Sequence, residues 1–446
     1  MTASPWHDAD RIAAAIRPAR FPIRDFLVTA FGATGNGKTD CTAAFASAIG
    51  ACHRAGGGRV IVPPGIWFTG AIELKSNVNL HLSKGATITF STDPARYLPQ
   101  VLTRWEGVEL MNYSPLVYAF GQENIAITGE GILDGNADNA HWWPWCGDPR
   151  FGWNESILKQ TAARAKLFAM GEANVPVAQR RFGDGSALRP PFVQPYRCRN
   201  VLIEGVTIRN APFWVIHPVL CTNVVVRAVV MDSKGPNNDG CDPESCDHVL
   251  IENCTFDTGD DCIAIKSGRN ADGRRLGVPS QNIVIRNCLM KNGHGGITVG
   301  SEISGGVRQV FVENCRMGGA DLGSAIRIKS NAVRGGTLEH IHVRHVTISR
   351  VSHAVLTVDL NYEEGANGPF RPVVRDVTLE GVTSGASTYG IDLQGLPHSN
   401  VSHIVLKNCN LQNVANGNIV QNVHDLTMDN VTINGEIHFT PGLVPH

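Results

Sequence analysis

NVLIEGVTI, at residues 200–208, is the first of a set of close variants: NVVVRAVVM from Asn223, HVLIENCTF from His248, NIVIRNCLM from Asn282, QVFVENCRM from Gln309, HIHVRHVTI from His340, DVTLEGVTS from Asp376, HIVLKNCNL from His403 and DLTMDNVTI from Asp425. NIAITGEGI from Asn124 is an upstream relative. Within each copy, apolar residues rich in Val and Ile alternate with period two, the pattern of a strand and not of a helix. Successive starts lie 22 to 36 residues apart, the period of a solenoid whose units pair only with their neighbours. A short polar step (Glu-Gly, Arg-Asn, Glu-Asn) divides each copy into two strand pieces and suits a corner where Asn accepts a left-handed backbone. The expected fold is all-β: a single-stranded right-handed parallel β-helix.

A repetitive chain of 446 residues need not divide into the two or three domains its length would otherwise suggest. We expect one domain over 1–446, with a cap region at 1–60, an insertion at 137–197 and the main coils at 198–435. CTAAFASAIGACHRA, after Thr39-Asp40, predicts an N-capped amphipathic helix closing the first coil. Four of the 12 cysteines recur after Asn, as Cys254, Cys288, Cys315 and Cys409. They read as inward core residues, because free Cys behaves as a small hydrophobe, and no C-x-x-C pair suggests structural zinc. The segment 137–197 breaks the repeat with His141-Trp142-Trp143-Pro144-Trp145, a helical LKQTAARAKLFAM and Pro190-Pro191. It is expected to cap a coil or close a cleft, with its tryptophans as candidates for sugar contact.

Lys plus Arg number 39 and Asp plus Glu 40. A net charge of −1 gives no overall field for nucleic acid or an anionic membrane, so an anionic ligand must be held by local Arg and Lys. No stretch approaches the roughly 20 apolar residues of a membrane-spanning helix, and the opening MTASPWHDADRIAAAIRPARFP has no basic-then-apolar secretory pattern. The expected location is cytoplasmic. Residues 32–39, GATGNGKT, fit the phosphate-loop pattern and suggest a nucleotide-binding ATPase. However, a solenoid follows in place of alternating β and α units, and no strand ending in Asp is placed to hold magnesium. The stretch reads better as a Gly-rich turn.

Aspartates concentrate in GPNNDGCDPESC (235–246) and DTGDDCIAIKSG (257–268). Asp239 and Asp260 are 21 residues apart, close to one coil, which is expected to set them side by side on neighbouring coils with Asp261 adjacent. Crowded carboxylates push one pKa up, the condition for an acid and a base at one pH. The next coil presents Gly293-His294-Gly295-Gly296, and the one after it Arg327-Ile328-Lys329, whose alternation puts both cations on one face. A lone His or Asp pair is usually surface or turn, but four polar clusters in register on consecutive repeats are poorly explained by solvation. With neither a nucleophile elbow nor a metal-ligand set, carboxylates facing cations point to hydrolysis of a glycoside that itself carries carboxylates.

NNDG…DPESC, TGDDCIAIKSG, GHGG…GSE and RIKS, in this order, resemble glycoside hydrolase family 28, the polygalacturonases. The resemblance is tight over the catalytic coils and looser from about Phe31 onward. It implies a metal-independent, cofactor-free, inverting hydrolase of α-1,4-galacturonosyl bonds. It further implies that Asp260 is the general acid, that Asp239 and Asp261 position and deprotonate water, and that His294 supports the acid. Arg327 and Lys329 match the pair that binds a galacturonate carboxylate beside the scissile bond, and Tyr362 falls where the family has a site tyrosine. Asn237, Lys266, Arg269, Trp142 and Trp143 complete the expected substrate-binding set.

Lacking a recognisable signal, the chain looks similar to the intracellular bacterial members that trim oligogalacturonates derived from pectin, in which added structure closes the cleft and makes cleavage exo. Rhamnogalacturonan-cutting members typically lack the histidine present here as His294. A calcium-dependent pectate lyase would need a carboxylate cage and an Arg base, and a non-catalytic glycan binder has no use for a clustered acid and base. For inversion, the carboxyl groups of Asp239 and Asp260 are expected roughly 6.5 to 9.5 Å apart. Arg269, Arg274 and Arg275 are candidates for fixing the carboxylate of a terminal sugar in a closed pocket.

Overall fold

In the computed structural model, which describes residues 4–438, one inward position shows how the coils stack. Ile72 pairs with Val117, then in turn come Val193, Ile216, Cys241, Ile263, Ile297, Ile326, Leu356 and Ile391, each in parallel register with the last. All ten are buried. The repeat units belong to a 25-stranded sheet, parallel except at its last strand, and a separate six-stranded sheet comprises Ile263–Ile265, Gly293–Val299, Leu322–Lys329, Ala354–Asp359, Tyr389–Gln394 and Ile419–Gln421. Together they make the expected parallel β-helix, and the six-stranded face carries the site.

The corners are left-handed on both sides of each strand. Asn253, Asn287, Asn314 and Asn408, at the polar step, have φ between 52° and 57°. So do the unit starts, which the sequence pattern did not mark as turns: Asn200, Asn223, His248, Asn282, Gln309, His340, Asp376, His403 and Asp425, with φ between 52° and 60°. Asn tolerates this conformation because its side chain finds local partners. Here Asn223 Nδ2 donates to Asn200 Oδ1 at 2.6 Å, and Asn200 Nδ2 to Asn124 Oδ1 at 2.8 Å. Cys254, Cys288, Cys315 and Cys409 are buried thiols, as expected.

Helix α1 (Trp6–Ala15) was not anticipated. It lays Trp6, Ala9 and Ile12 across Ala126, Leu202, Val225, Leu250, Val284 and Phe311, the outward middle residues of consecutive strands. Helix α2 (Thr42–Arg54) caps the first coil with Ala44, Phe45, Ala48, Ile49 and Cys52, and Asp40 Oδ1 accepts from the backbone N–H of Thr42 at 3.0 Å. The Gly-rich turn before it is held by Asn36, whose side-chain oxygen accepts from the N–H groups of Lys38 and Thr39. At the far end, Glu436–His438 pairs antiparallel with His424–Ile433 and covers the last edge, which an exposed parallel strand requires.

The insertion returns to the repeat earlier than its expected end at 197, because Val193–Tyr196 already pairs with Val117–Phe120. Its helix α3 (Thr161–Glu172) packs through Leu167 against Trp105, Val108 and Leu110 of an antiparallel hairpin, Val101–Trp105 with Val108–Asn112. That hairpin is unmarked in the sequence pattern.

Candidate active site

Two loops leave the coils on the six-stranded face, and each is locked by its own side chains. In Asn237-Asn238-Asp239-Gly240, Asn238 Oδ1 accepts from Ser233 Oγ at 2.6 Å and from the N–H of Gly235 at 3.0 Å. Buried Arg189, from the insertion, donates to Asn237 Oδ1 and to the carbonyl of Pro236, both at 2.7 Å. Burial pulls its pKa down to about 10. In the second loop the N–H of Asp261 donates to Asp260 Oδ1 at 2.9 Å.

Strand register corrects one expectation. Cys241 pairs with Ile263, a step of 22 residues, so Asp239 stands in register with Asp261 and not with Asp260. Extending the row, Ile263 pairs with Ile297 and brings Gly295 beside Asp261. A Cβ on Gly295 would meet Asp261 Oδ1 at 2.8 Å and Thr298 Oγ1 at 2.3 Å. Gly295 is therefore glycine because Asp261 and Thr298 fill the space, whereas Gly293 faces the carbonyl of Asp260 and Gly296 the carbonyl of Ala325 and the sulfur of Met317.

Asp239, Asp260 and Asp261 bring carboxylate oxygens within 4.8 Å of one another, which no other acidic, His or Cys group among the described residues matches. Asp239 and Asp261, in register on neighbouring coils, start one strand spacing apart, about 4.8 Å, which lets their nearest oxygens come this close. Positive charge surrounds the trio. Lys329 Nζ is 2.8 Å from Asp261 Oδ2 and Arg327 Nη1 is 3.6 Å from Asp261 Oδ1. Lys266 Nζ lies 3.7 Å from both Asp239 and Asp242 and 3.1 Å from Glu302. His294 Nδ1 lies 2.9 Å from Asp260 Oδ1.

These contacts separate the carboxyls. Burial, then the negative charge of Asp260, pushes Asp239 well above the usual range. Burial also pushes Asp260 up, but the hydrogen bond and charge of His294, with Lys329 and Lys266, hold it down to about 2. The hydrogen bond and charge of Asp260 raise His294 in return. The higher proton affinity therefore sits on Asp239 and on His294, and not on Asp260.

A cavity of about 220 Å³ brings together Asn237, Asp239, Asp260, Lys266, His294, Arg327, Lys329 and Tyr362. Asp261 lies just beneath, held by Lys329. The Tyr362 ring covers the Lys329 ammonium at 5.2 Å. Five expected residues lie elsewhere. Trp142 is buried against Tyr97, Tyr113 and Trp145. Trp143 donates its indole N–H to the carbonyl of Ala211 at 2.9 Å and fills the space a Cβ on Gly235 would need. Trp143 therefore packs against the start of the stretch that carries Asp239, and Trp142 within an aromatic cluster away from the cavity. Arg269 is buried between Glu302, Glu106 and Glu363. Arg274 donates to the carbonyls of Val333 and Arg334, and Arg275 pairs with Glu109 and Asp272.

The sequence pattern passed over Trp214, Glu302, Glu106 and Arg164, all of which line the cavity. Glu302 sits in the quoted Gly-Ser-Glu motif. Glu106 and Arg164 carried no motif signal. The Arg164 guanidinium is 2.7 Å from Glu106 and 3.8 Å from Glu363, so α3 and the hairpin tip close one side of the cavity with a salt-bridged wall.

Known proteins are similar to this chain in sequence and fold. The chain is 46% identical to the exopolygalacturonase of Thermotoga maritima, whose crystal structure superposes with a TM-score of 0.94, covering 97% of this chain and 96% of that one. It is 29% identical over 442 residues to the exo-poly-alpha-D-galacturonosidase of Dickeya chrysanthemi, covering 91% of this chain and 70% of that protein. It is 25% identical over 438 residues to polygalacturonase-2 of Solanum lycopersicum, covering 94% and 80%. The model of glycosyl hydrolases family 28 matches residues 177–433, the coils that carry the three aspartates, the histidine and the two cations. The chain is a glycoside hydrolase and belongs to family 28.

Proposed function

We propose that this enzyme is an exo-acting polygalacturonase that hydrolyses α-1,4-galacturonosyl bonds of pectin-derived oligogalacturonates and releases galacturonate from the non-reducing end. The observation that carries the proposal is a cavity closed on one side by Arg164 and Glu106 and lined by Asp239, Asp260, Lys266, Arg327 and Lys329. A closed pocket admits a chain end and excludes a polymer lying across it. The 12 unpaired thiols suit a reducing compartment, in keeping with a cytoplasmic enzyme that trims short oligomers.

The acid is the Asp260–His294 pair acting together. At rest the proton resides on His294. When sugar displaces water and the local dielectric falls, the ion pair loses its advantage, and the proton passes through Asp260 to the leaving glycosidic oxygen. Water attacks the anomeric carbon as that bond breaks and gives its proton to Asp239, which must be ionised at that moment to act as the base. Asp261, held by Lys329, orients the water. Lys266 and Lys329 supply positive charge that a metal would otherwise bring, so no cofactor is required. The product anomer should be inverted, and proton magnetic resonance of early product checks it; a retained anomer would overturn the mechanism.

The pKa directions favour a second assignment, with Asp239 as acid and Asp260 as base. Chemical rescue separates the two. A galacturonide with a good leaving group needs no acid and should restore Asp260→Asn but not Asp239→Asn, while added azide should restore only the base mutant. The reverse pattern would exchange the roles. For exo action, polygalacturonate digestion should yield monomer from the first minutes with little loss of viscosity; early dimers to tetramers would mean an open groove.

A further inference from the structure

The closed wall of the cavity holds hydrogen-bonding capacity that the protein itself leaves unused. Arg164 comes from α3 with its guanidinium over the ring of Phe168, at 4.6 Å, and its Nε donates to Glu106 Oε2 at 2.7 Å. Its two terminal nitrogens make no hydrogen bond among the described residues, since Glu363 Oε1 stands 3.8 Å away. Glu363 is fixed through its other oxygen, which accepts from buried Arg334 at 2.6 Å and from Arg269 at 3.2 Å. Glu106 is likewise bonded through Oε2 alone, although only 8% of the residue is exposed. Among the described residues, Glu106 Oε1 and Glu363 Oε1 are thus open acceptors beside open guanidinium donors, and all three side chains line the cavity. Glu302, by contrast, is already bonded by Lys266, Arg269 and Ser301.

The hairpin tip is shaped to put Glu106 there. Its φ of 41° is left-handed, a conformation that Gly or Asn adopts more readily. The adjoining Gly107 has no room for a Cβ, which would stand 2.6 Å from the backbone nitrogen of Arg269. A glutamate held in a disfavoured backbone points to a use for its side chain.

Donor and acceptor count decides what fits such a wall. A uronate carboxylate only accepts and would meet two fixed carboxylates, whereas a hydroxyl accepts from Arg164 and donates to Glu106 or Glu363 at once. Arg327 and Lys329 offer the carboxylate a better place in the same cavity. In an exo-acting pocket the closed side receives the chain end. The group that distinguishes such an end from an interior residue of a 1,4-linked chain is its free 4-hydroxyl.

We propose that Arg164, Glu106 and Glu363 form a hydroxyl clamp that reads the free 4-hydroxyl of the terminal sugar. Ends without this oxygen, such as the 4,5-unsaturated uronates left by eliminative cleavage, are then poor substrates. Hydrolysis, and not elimination, makes the new ends that this enzyme can use. The proposal rests on the exo reading above.

The test is the ratio of kcat/KM for digalacturonate to that for two analogues lacking the terminal 4-oxygen: the 4,5-unsaturated dimer, and a saturated 4-deoxy dimer whose ring keeps its chair. For both, the wild-type ratio should be on the order of a hundredfold, because a site built around a hydroxyl leaves its own polar groups unpaired when that hydroxyl is missing. Arg164→Met and Glu106→Leu should each cut the ratio about tenfold, chiefly by slowing the 4-hydroxylated substrate, while Glu106→Gln, which keeps an acceptor, should retain more of it. A merely structural role would lower all the rates together and leave the ratio unchanged. The wild-type ratios decide the matter even if a variant fails to fold. Values near one overturn the proposal, as does an unchanged ratio in both folded variants, and a penalty on the unsaturated dimer alone reports ring shape and overturns it too. Early dimers to tetramers from polygalacturonate would instead defeat the exo reading, and this proposal with it.

Discussion

Gly295 has no room for a side chain because Asp261 already occupies it, and this gives the sharpest test of the trio's geometry. Gly295→Ala should lower kcat/KM by about two orders of magnitude, since displacing a reacting group by even about 1 Å can cost that much. The melting temperature should stay near that of the wild type, because the clash lies at the cleft and not in the ladder core. Undiminished turnover would show that Asp261 can move without consequence. His294 offers a pH test. Asp260 raises its pKa, so the protonated form persists above the ordinary value of about 6.5 and is lost as pH rises through the elevated one. The alkaline limb of kcat/KM should therefore lie above about 6.5, and His294→Gln should abolish that limb while lowering the rate about 10² to 10⁴-fold. A limb unmoved by the substitution would assign it to another group. At this scale much was legible: the aspartates, His294, Arg327, Lys329 and Tyr362 lie in short motifs, and the fold brings them together. Glu106 and Arg164 were not, because each is a single ordinary residue whose position depends on contacts between the hairpin and the insertion.

The elements were legible where periodicity repeats and obscure where it does not. Strands with inward Val and Ile announce themselves nine times over, whereas α1 is one short helix. Its trace was nonetheless present: the outward middle residues are apolar from Ala126 to Phe311 and turn polar at His342 and Thr378, as expected where a covering helix ends. The tryptophans of the insertion were misplaced because aromatic clusters serve packing and sugar binding alike. Trp142→Ala should cost about 3 to 5 kcal/mol of stability, read in thermal melts, while leaving KM for digalacturonate close to the wild-type value. A raised KM with unchanged stability would restore the sugar-contact reading. Arg189 couples insertion to site. Arg189→Met removes the donor to the Pro212 carbonyl and to Asn237 Oδ1, while the Pro236 carbonyl keeps Asn238 Nδ2, and should lower both the melting temperature and kcat, with a penalty on the order of 1 to 3 kcal/mol for each group left unsatisfied.

For the molecule as a whole, charge is arranged so that the site carries its own countercharge. Three carboxylates within 4.8 Å resemble a cation cage, but Lys266, Lys329 and His294 stand where a metal's charge would be needed. Activity should survive prolonged EDTA treatment, and no product should absorb as an unsaturated uronate; loss on chelation or appearance of that chromophore would indicate lyase chemistry.

From Asn200 onward, the left-handed residues that open each strand sit at the same place in every coil although their spacing runs from 22 to 36 residues. Pairing is thus indexed by one backbone conformation, independent of how much polypeptide lies between two such marks. Mutation can lengthen or trim a rim loop, and so remodel which oligomers fit, without shifting a single rung of the scaffold. Changes in appetite and changes in architecture are thereby uncoupled, and a lineage is free to move between cutting chain interiors and nibbling chain ends by splicing at the corners alone.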